Sequence, residues 1–130
     1  WLVLLMFISM HMVAGFTLSM VFQPAHIIHT SDYIDTDEVE INRNWNVHQL
    51  MTTTNFGMGS KWLFWFTGGL NHQIEHHLFP NICHVHYRSL APIVQQTAQE
   101  FNLPYYHQPT LRMAVAAHFR MLKDLGRGSI

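Results

Sequence analysis

The chain has 130 residues and a mass of 15.2 kDa, enough for one small domain. Its charged fraction is 12% and its hydrophobic fraction 48%, with a mean hydropathy of +0.04, whereas soluble domains carry roughly 25% charged residues. The net charge of −1 excludes a basic nucleic-acid surface, and the single cysteine, Cys83, excludes an internal disulfide, disfavours a thiolate metal site and reads as a buried thiol.

Trp1 to Phe22 contains no charged residue. At 1.5 Å per residue such a run covers about 33 Å, enough to cross a hydrocarbon core of roughly 30 Å. The spacing predicts a transmembrane helix over 1–23. It is too long for a signal-peptide core and has no basic leader. The chain opens at Trp1 inside this run, which reads as a fragment or a processed end. His11 in its middle is either a functional intramembrane group or a hydrogen-bonded structural one. His26 and His29 follow, three residues apart, and read as surface or supporting groups rather than ligands. The five acids between Asp32 and Glu40 predict a solvated loop.

Asn44 and His48 are four apart, a spacing that places both on one helical face. Gly57 to Lys61 reads as a turn. Trp62-Leu63-Phe64-Trp65-Phe66 is too short to span a membrane and reads as core or as an interfacial aromatic belt.

The densest chemistry lies in Gly68-Gly69-Leu70-Asn71-His72-Gln73-Ile74-Glu75-His76-His77-Leu78-Phe79-Pro80. Packing alone does not ask for adjacent imidazoles, which are costly in apolar surroundings and common as metal ligands. On a helix turning about 100° per residue, with Gln73 at zero, His76 falls near −60° and His77 near +40°, whereas Glu75 falls near 200°. Gln73, His76 and His77 can therefore converge on one point that Glu75 cannot reach. Pro80 marks a helix end. His72-Gln73-Ile74-Glu75-His76 also fits the H-x-x-E-H pattern of inverted zinc proteases. That reading makes Glu75 a general base and needs a third ligand from Glu100 or Asp124. It leaves His77, Asn44 and His48 unexplained.

His84 and His86 lie beyond the predicted helix end and read as supporting or surface groups. Ser89 is predicted to cap a helix reaching about Phe101, with Pro92 in its first turn and Leu90, Ile93, Val94, Thr97 and Phe101 as its apolar stripe. Leu103 to Tyr106 reads as extended. Thr110 is predicted to cap a last helix, with Leu111, Val115, Phe119 and Leu122 inward and Gly126 at its end.

The string around Gln73-Ile74-Glu75-His76-His77 closely resembles the third histidine box of the membrane fatty-acid desaturases, in the Gln-x-x-His-His form of the front-end branch. The flanks are similar as well: Gly68-Gly69-Leu70-Asn71 before, His84-Val85-His86-Tyr87 and Leu90-Ala91-Pro92 after, and Thr52-Thr53-Thr54-Asn55 upstream. The resemblance implies an all-α integral membrane protein. Residues 1–23 would be a transmembrane helix, and 24–130 a cytoplasmic helical cap carrying a His-rich metal site. The whole chain would be the C-terminal part of one desaturase domain. It implies two iron ions, with His76 and His77 as ligands and Gln73 as a weaker ligand or a group orienting one. The family's Asn-x-x-x-His element would carry over to His48 as a ligand and to Asn44 acting through a water.

The same resemblance implies O2-dependent desaturation of a fatty acyl chain linked to CoA or lipid. Electrons would come from a donor such as cytochrome b5 or ferredoxin, in a bacterial inner membrane or the endoplasmic reticulum. The family's first two histidine boxes are absent from this sequence, so the chain alone would be inactive. A di-iron hydroxylase on the same scaffold and a non-catalytic His cluster are the other membrane readings. All seven Lys and Arg residues follow the apolar run, which predicts a cytoplasmic location for Asp32 to Ile130.

Overall fold

The structure, a computed structural model, describes residues 1–27 and 44–128. The predicted acidic loop and His29 lie outside these residues. Helix α1 runs from Leu2 to His26, longer than the apolar run alone. It continues through Pro24, which sits in its last turn. Residues 1–18 are all exposed, and α1 is, among the described residues, long and apolar enough to cross a membrane. The His11 ring bonds the Phe7 carbonyl one turn back through Nδ1 (3.0 Å), a contact within its own helix.

The remainder is mostly helical: α2 (Trp45–Thr52), α3 (Lys61–Phe66), α4 (Gln73–Leu78), α5 (Tyr87–Glu100) and α6 (Leu111–Gly126), with a 3-10 turn at His84–His86. The all-α expectation needs one correction. Strands β1 (Thr54–Phe56) and β2 (Tyr106–Gln108) pair in parallel, Thr54 opposite Tyr106 and Phe56 opposite Gln108. With three residues each and a long stretch of chain between them, neither strand offers a usable alternation pattern.

Two apolar clusters hold these elements. Ala25 at the end of α1 packs with Phe56, Leu63 and Ala114, joined by Leu111. Leu50, Ile74, Val94 and Ala98 form the second, flanked by Leu78, Phe79, Leu103 and Tyr105. The second cluster seats α4 between α2 and α5. Ile74 is fully buried there, and Ile74→Ala costs about 2–5 kcal/mol on the scale of large-to-small core changes.

The apolar faces differ from those predicted for the last two long helices. In α5 the buried side chains are Tyr87, Ala91, Val94 and Ala98, while Ile93 and Phe101 are exposed. The 3-10 turn runs straight into α5, so the helix begins two residues before Ser89 and Pro92 falls in its second turn. In α6 the Thr110 hydroxyl does accept from the Met113 N–H and the helix ends at Gly126, but Ala114, His118 and Met121 face inward and Phe119 and Leu122 are exposed. Each inward face mixes alanines with a few larger side chains, Tyr87 and Val94 in α5 and His118 and Met121 in α6. Cys83, expected to be buried, is exposed, because it lies in the loop between α4 and the 3-10 turn.

Candidate metal centre

The two glycines before the His helix set its entry. Gly68 and Gly69 both have positive φ (61° and 81°), a region other residues adopt at a cost. A Cβ on Gly69 would lie 2.8 Å from the Cβ of His84. The chain then passes Asn71, fully buried, whose Nδ2 donates to the carbonyls of Phe56 (3.2 Å) and Gly57 (3.4 Å). His72 caps α4 and is also buried, its Nδ1 3.2 Å from Asn71 Oδ1 and its ring edge-on to Phe64. Burial, with a smaller push from the Arg88 charge, pulls its pKa down to about 4.

Helix α4 then presents two chemically different sides, as the wheel predicts. Glu75 is fully buried. Its Oε2 accepts from Asn55 Nδ2 and its Oε1 from the Tyr105 hydroxyl, both at 2.8 Å. Asn55 Oδ1 in turn accepts the backbone N–H of Ile74 (2.9 Å), one of the first-turn donors that a helix leaves open. Burial raises the Glu75 pKa, and the hydrogen bonds from Tyr105 and Asn55 act against that shift. Both carboxylate oxygens are thus taken up as a structural anchor by Asn55 and Tyr105, which disfavours the H-x-x-E-H protease reading. Glu100 and Asp124, the third ligands that reading requires, sit on α5 and α6, with Glu100 bonded to Gln96.

On the other side the rings gather. His76 and His77 are half-buried, with centroids 5.7 Å apart. The His26 ring, at the end of α1, lies 5.0 Å from that of His77, edge-on. The backbone of Thr52, at the end of α2, hydrogen-bonds the His26 ring. His76 Nδ1 lies 3.3 Å from the Tyr87 hydroxyl. Burial first, then the nearby His26 and His76, pull the His77 pKa down to about 4, so this imidazole is neutral near pH 7, the state in which it ligates metal.

His26 is the residue that sequence reasoning undervalued. Its place after a Pro, beyond the predicted transmembrane helix over 1–23, hid the fact that α1 carries it to the His helix. The signal was there: it is the first imidazole at the end of the apolar helix.

The other anticipated residues are placed as follows. Gln73 is 1% exposed, and its side-chain nitrogen has no hydrogen-bond partner among the described residues. Asn44 is not inside α2 but caps it, its Oδ1 accepting the Asn46 N–H (3.0 Å). It also lines, with Val47, Leu50, Leu78 and Phe79, an apolar cavity of about 450 Å³. His48 is half-buried in the middle of α2, which packs against α4. The rings found in contact with His77 are His26 and His76.

Among the described residues, no three His, Cys, Asp or Glu side chains are arranged to hold a metal ion by themselves. The donor set still fits iron as part of a larger shell. Imidazoles from two elements converge, metal–nitrogen bonds of about 2 Å let neighbouring rings share one ion, and an imidazole-rich set suits iron or zinc rather than calcium or magnesium. The buried Gln73 amide, whose nitrogen has no partner among the described residues, adds a polar group on the same helix.

The chain is 38% identical over 121 residues to an sn-1 linoleoyl-lipid 6-desaturase of Synechocystis sp., covering 92% of the chain and 34% of that protein. It is 41% identical over 125 residues to an acyl-lipid (8-3)-desaturase of Physcomitrium patens, covering 95% and 26%. It is 35% identical over 125 residues to Delta(5) fatty acid desaturase A of Dictyostelium discoideum, covering 92% and 27%. The chain thus spans about a third or less of the length of these curated relatives. No solved structure matches it. Residues 1–109, from the long apolar helix α1 through the His helix to the second strand, match the fatty acid desaturase profile, and the chain belongs to that family.

Proposed function

We propose that this chain is the C-terminal part of an O2-dependent fatty acyl desaturase and supplies part of its iron shell. The observation that carries this reading is the convergence of His26 from α1 on His77 and His76 from α4, in a chain of this family. The ligands are His76, His77 and His26. His48, on the helix packed beside α4, supplies a further imidazole, and Asn44 acts through a water at the start of that helix. Gln73 binds weakly through its amide oxygen or orients a neighbour.

When bound, two iron ions held by these residues would supply redox chemistry with dioxygen and two electrons, by which two hydrogens would be removed from adjacent methylenes of an acyl chain. The residues of this chain hold and orient. The Thr52 backbone holds the His26 ring by a hydrogen bond. The Glu75–Asn55–Tyr105 cluster sets the roll of α4, and burial keeps His77 neutral. The relatives' names point to acyl-lipid substrates. The electron donor is a small redox protein such as cytochrome b5 or ferredoxin, and the site faces the cytoplasm at the end of α1, with all seven basic residues on that side of the apolar run.

The test is the fatty acid profile of cells expressing the complete protein. Wild type adds a double bond to an endogenous or supplied polyunsaturated acyl chain. His76→Ala and His77→Ala, made at equal membrane abundance, leave the profile of the host unchanged. New unsaturation in both variants contradicts the reading. A reporter fused after Ile130 reads cytoplasmic, and a signal from the opposite side overturns the topology.

A further inference from the structure

We propose that Tyr87 is a positioning residue for His76: its hydroxyl accepts the Nδ1–H of that imidazole and thereby reserves Nε2, unprotonated, for the metal. The proposal rests on the reading of His76 as an iron ligand.

A neutral imidazole carries one N–H and one lone pair. When a metal takes the lone pair, the proton must sit on the other nitrogen, and a buried N–H without an acceptor is costly. Metal-binding histidines therefore almost always donate that N–H to a nearby oxygen, which fixes both tautomer and ring orientation. His76 Nδ1 has such an oxygen, the Tyr87 hydroxyl, at 3.3 Å. With Nδ1 taken, Nε2 is the atom left to ligate.

The setting supports a dedicated role for that hydroxyl. Tyr87 is 3% exposed and opens α5, directly after the 3-10 turn, so its backbone is fixed on both sides. Its ring stands 6.2 Å from that of His76 at 60°. A phenylalanine would fill the same buried space, so packing does not require the oxygen. In the His84-Val85-His86-Tyr87 string the two imidazoles go elsewhere: His84 lies against Phe64 and Trp65, and His86 is an exposed residue at the start of α5. Tyr87 is the member of the string that reaches the His helix.

The experiment uses the complete protein in detergent or nanodiscs and measures iron affinity and the rate of iron loss to a chelator, alongside melting temperature. Three variants are compared: Tyr87→Phe, Tyr87→Gln and His76→Ala. Tyr87→Phe keeps the ring and loses the acceptor; Tyr87→Gln loses the ring and keeps an acceptor oxygen. The proposal expects Tyr87→Phe to bind iron about 10- to 100-fold more weakly, the range seen when such supporting partners are removed, with an unchanged melting temperature. Tyr87→Gln should recover part of that loss.

Wild-type affinity in Tyr87→Phe, with iron lost in His76→Ala, overturns the role of Tyr87 and leaves the metal reading standing. Full iron retention in His76→Ala overturns the metal reading itself. Equal weakening in Tyr87→Phe and Tyr87→Gln that tracks a lowered melting temperature assigns Tyr87 to packing alone and overturns the proposal.

Discussion

Glu75 and Tyr105 are joined by a 2.8 Å hydrogen bond, phenol to carboxylate, although thirty residues separate them. With Asn55 on the second carboxylate oxygen, this pair pins one side of α4 and leaves the opposite side to His76 and His77.

The first prediction concerns that anchor. Glu75→Ala strands two buried donors, each costing about 1–3 kcal/mol when unsatisfied, and should lower both the melting temperature and the iron content. Glu75→Gln retains one acceptor oxygen and should keep substantial activity and metal, because Glu75 takes no part in the chemistry. Complete loss of turnover at full metal content would point to a general base and against this account.

Gly69 gives a purely structural test. Its φ of +81° and the 2.8 Å approach of an added Cβ to His84 predict that Gly69→Ala destabilises by about 1–3 kcal/mol. Gly59, where an added Cβ meets nothing within 4 Å, serves as the control. Thermal unfolding of the two variants should separate clearly, and equal melting temperatures would contradict the backbone argument.

What the sequence made legible follows the distance over which each feature is decided. The separation of Glu75, bonded to Asn55 and Tyr105, from the paired His76 and His77 rings needs only helix geometry, whereas Gln73 is buried with Ile74 and Glu75. The Thr110 cap is equally local. The Glu75 anchor was not legible, because its partners come from Asn55 and Tyr105, fifty residues apart. His26 reaches His77 through the docking of α1 against β1 and α6, which no local pattern encodes. The Asn44–His48 spacing suggested a shared helical face, but Asn44 sits just outside α2 as its cap, since Asn is a preferred residue for that position.

His26 provides the third prediction. His26→Ala should lower bound iron and abolish desaturation in the complete protein, with severity similar to His77→Ala. His107→Ala, an exposed position in β2, should be close to silent. Unchanged iron in His26→Ala would remove α1 from the site and leave its ring contact with His77 a packing contact.

The pH dependence has a defined sign. His72 and His77 are held near 4, below the 6.5 of a free imidazole. The unfolded chain therefore binds more protons than the folded one between these values, and stability rises with pH across that window. Their contribution is full above about 6.5 and is lost as pH falls toward 4. Melting temperatures of the metal-free protein should drop over that range, and His72→Gln should flatten part of the slope while His77 retains the rest. A slope unchanged in His72→Gln would contradict the assignment.

The most direct measurement is metal analysis of the purified complete protein, with His76→Ala and His77→Ala beside it. The account predicts iron near two per polypeptide in the wild type and a clear loss in each variant. Zinc near one per polypeptide, or iron that both variants retain in full, would contradict it.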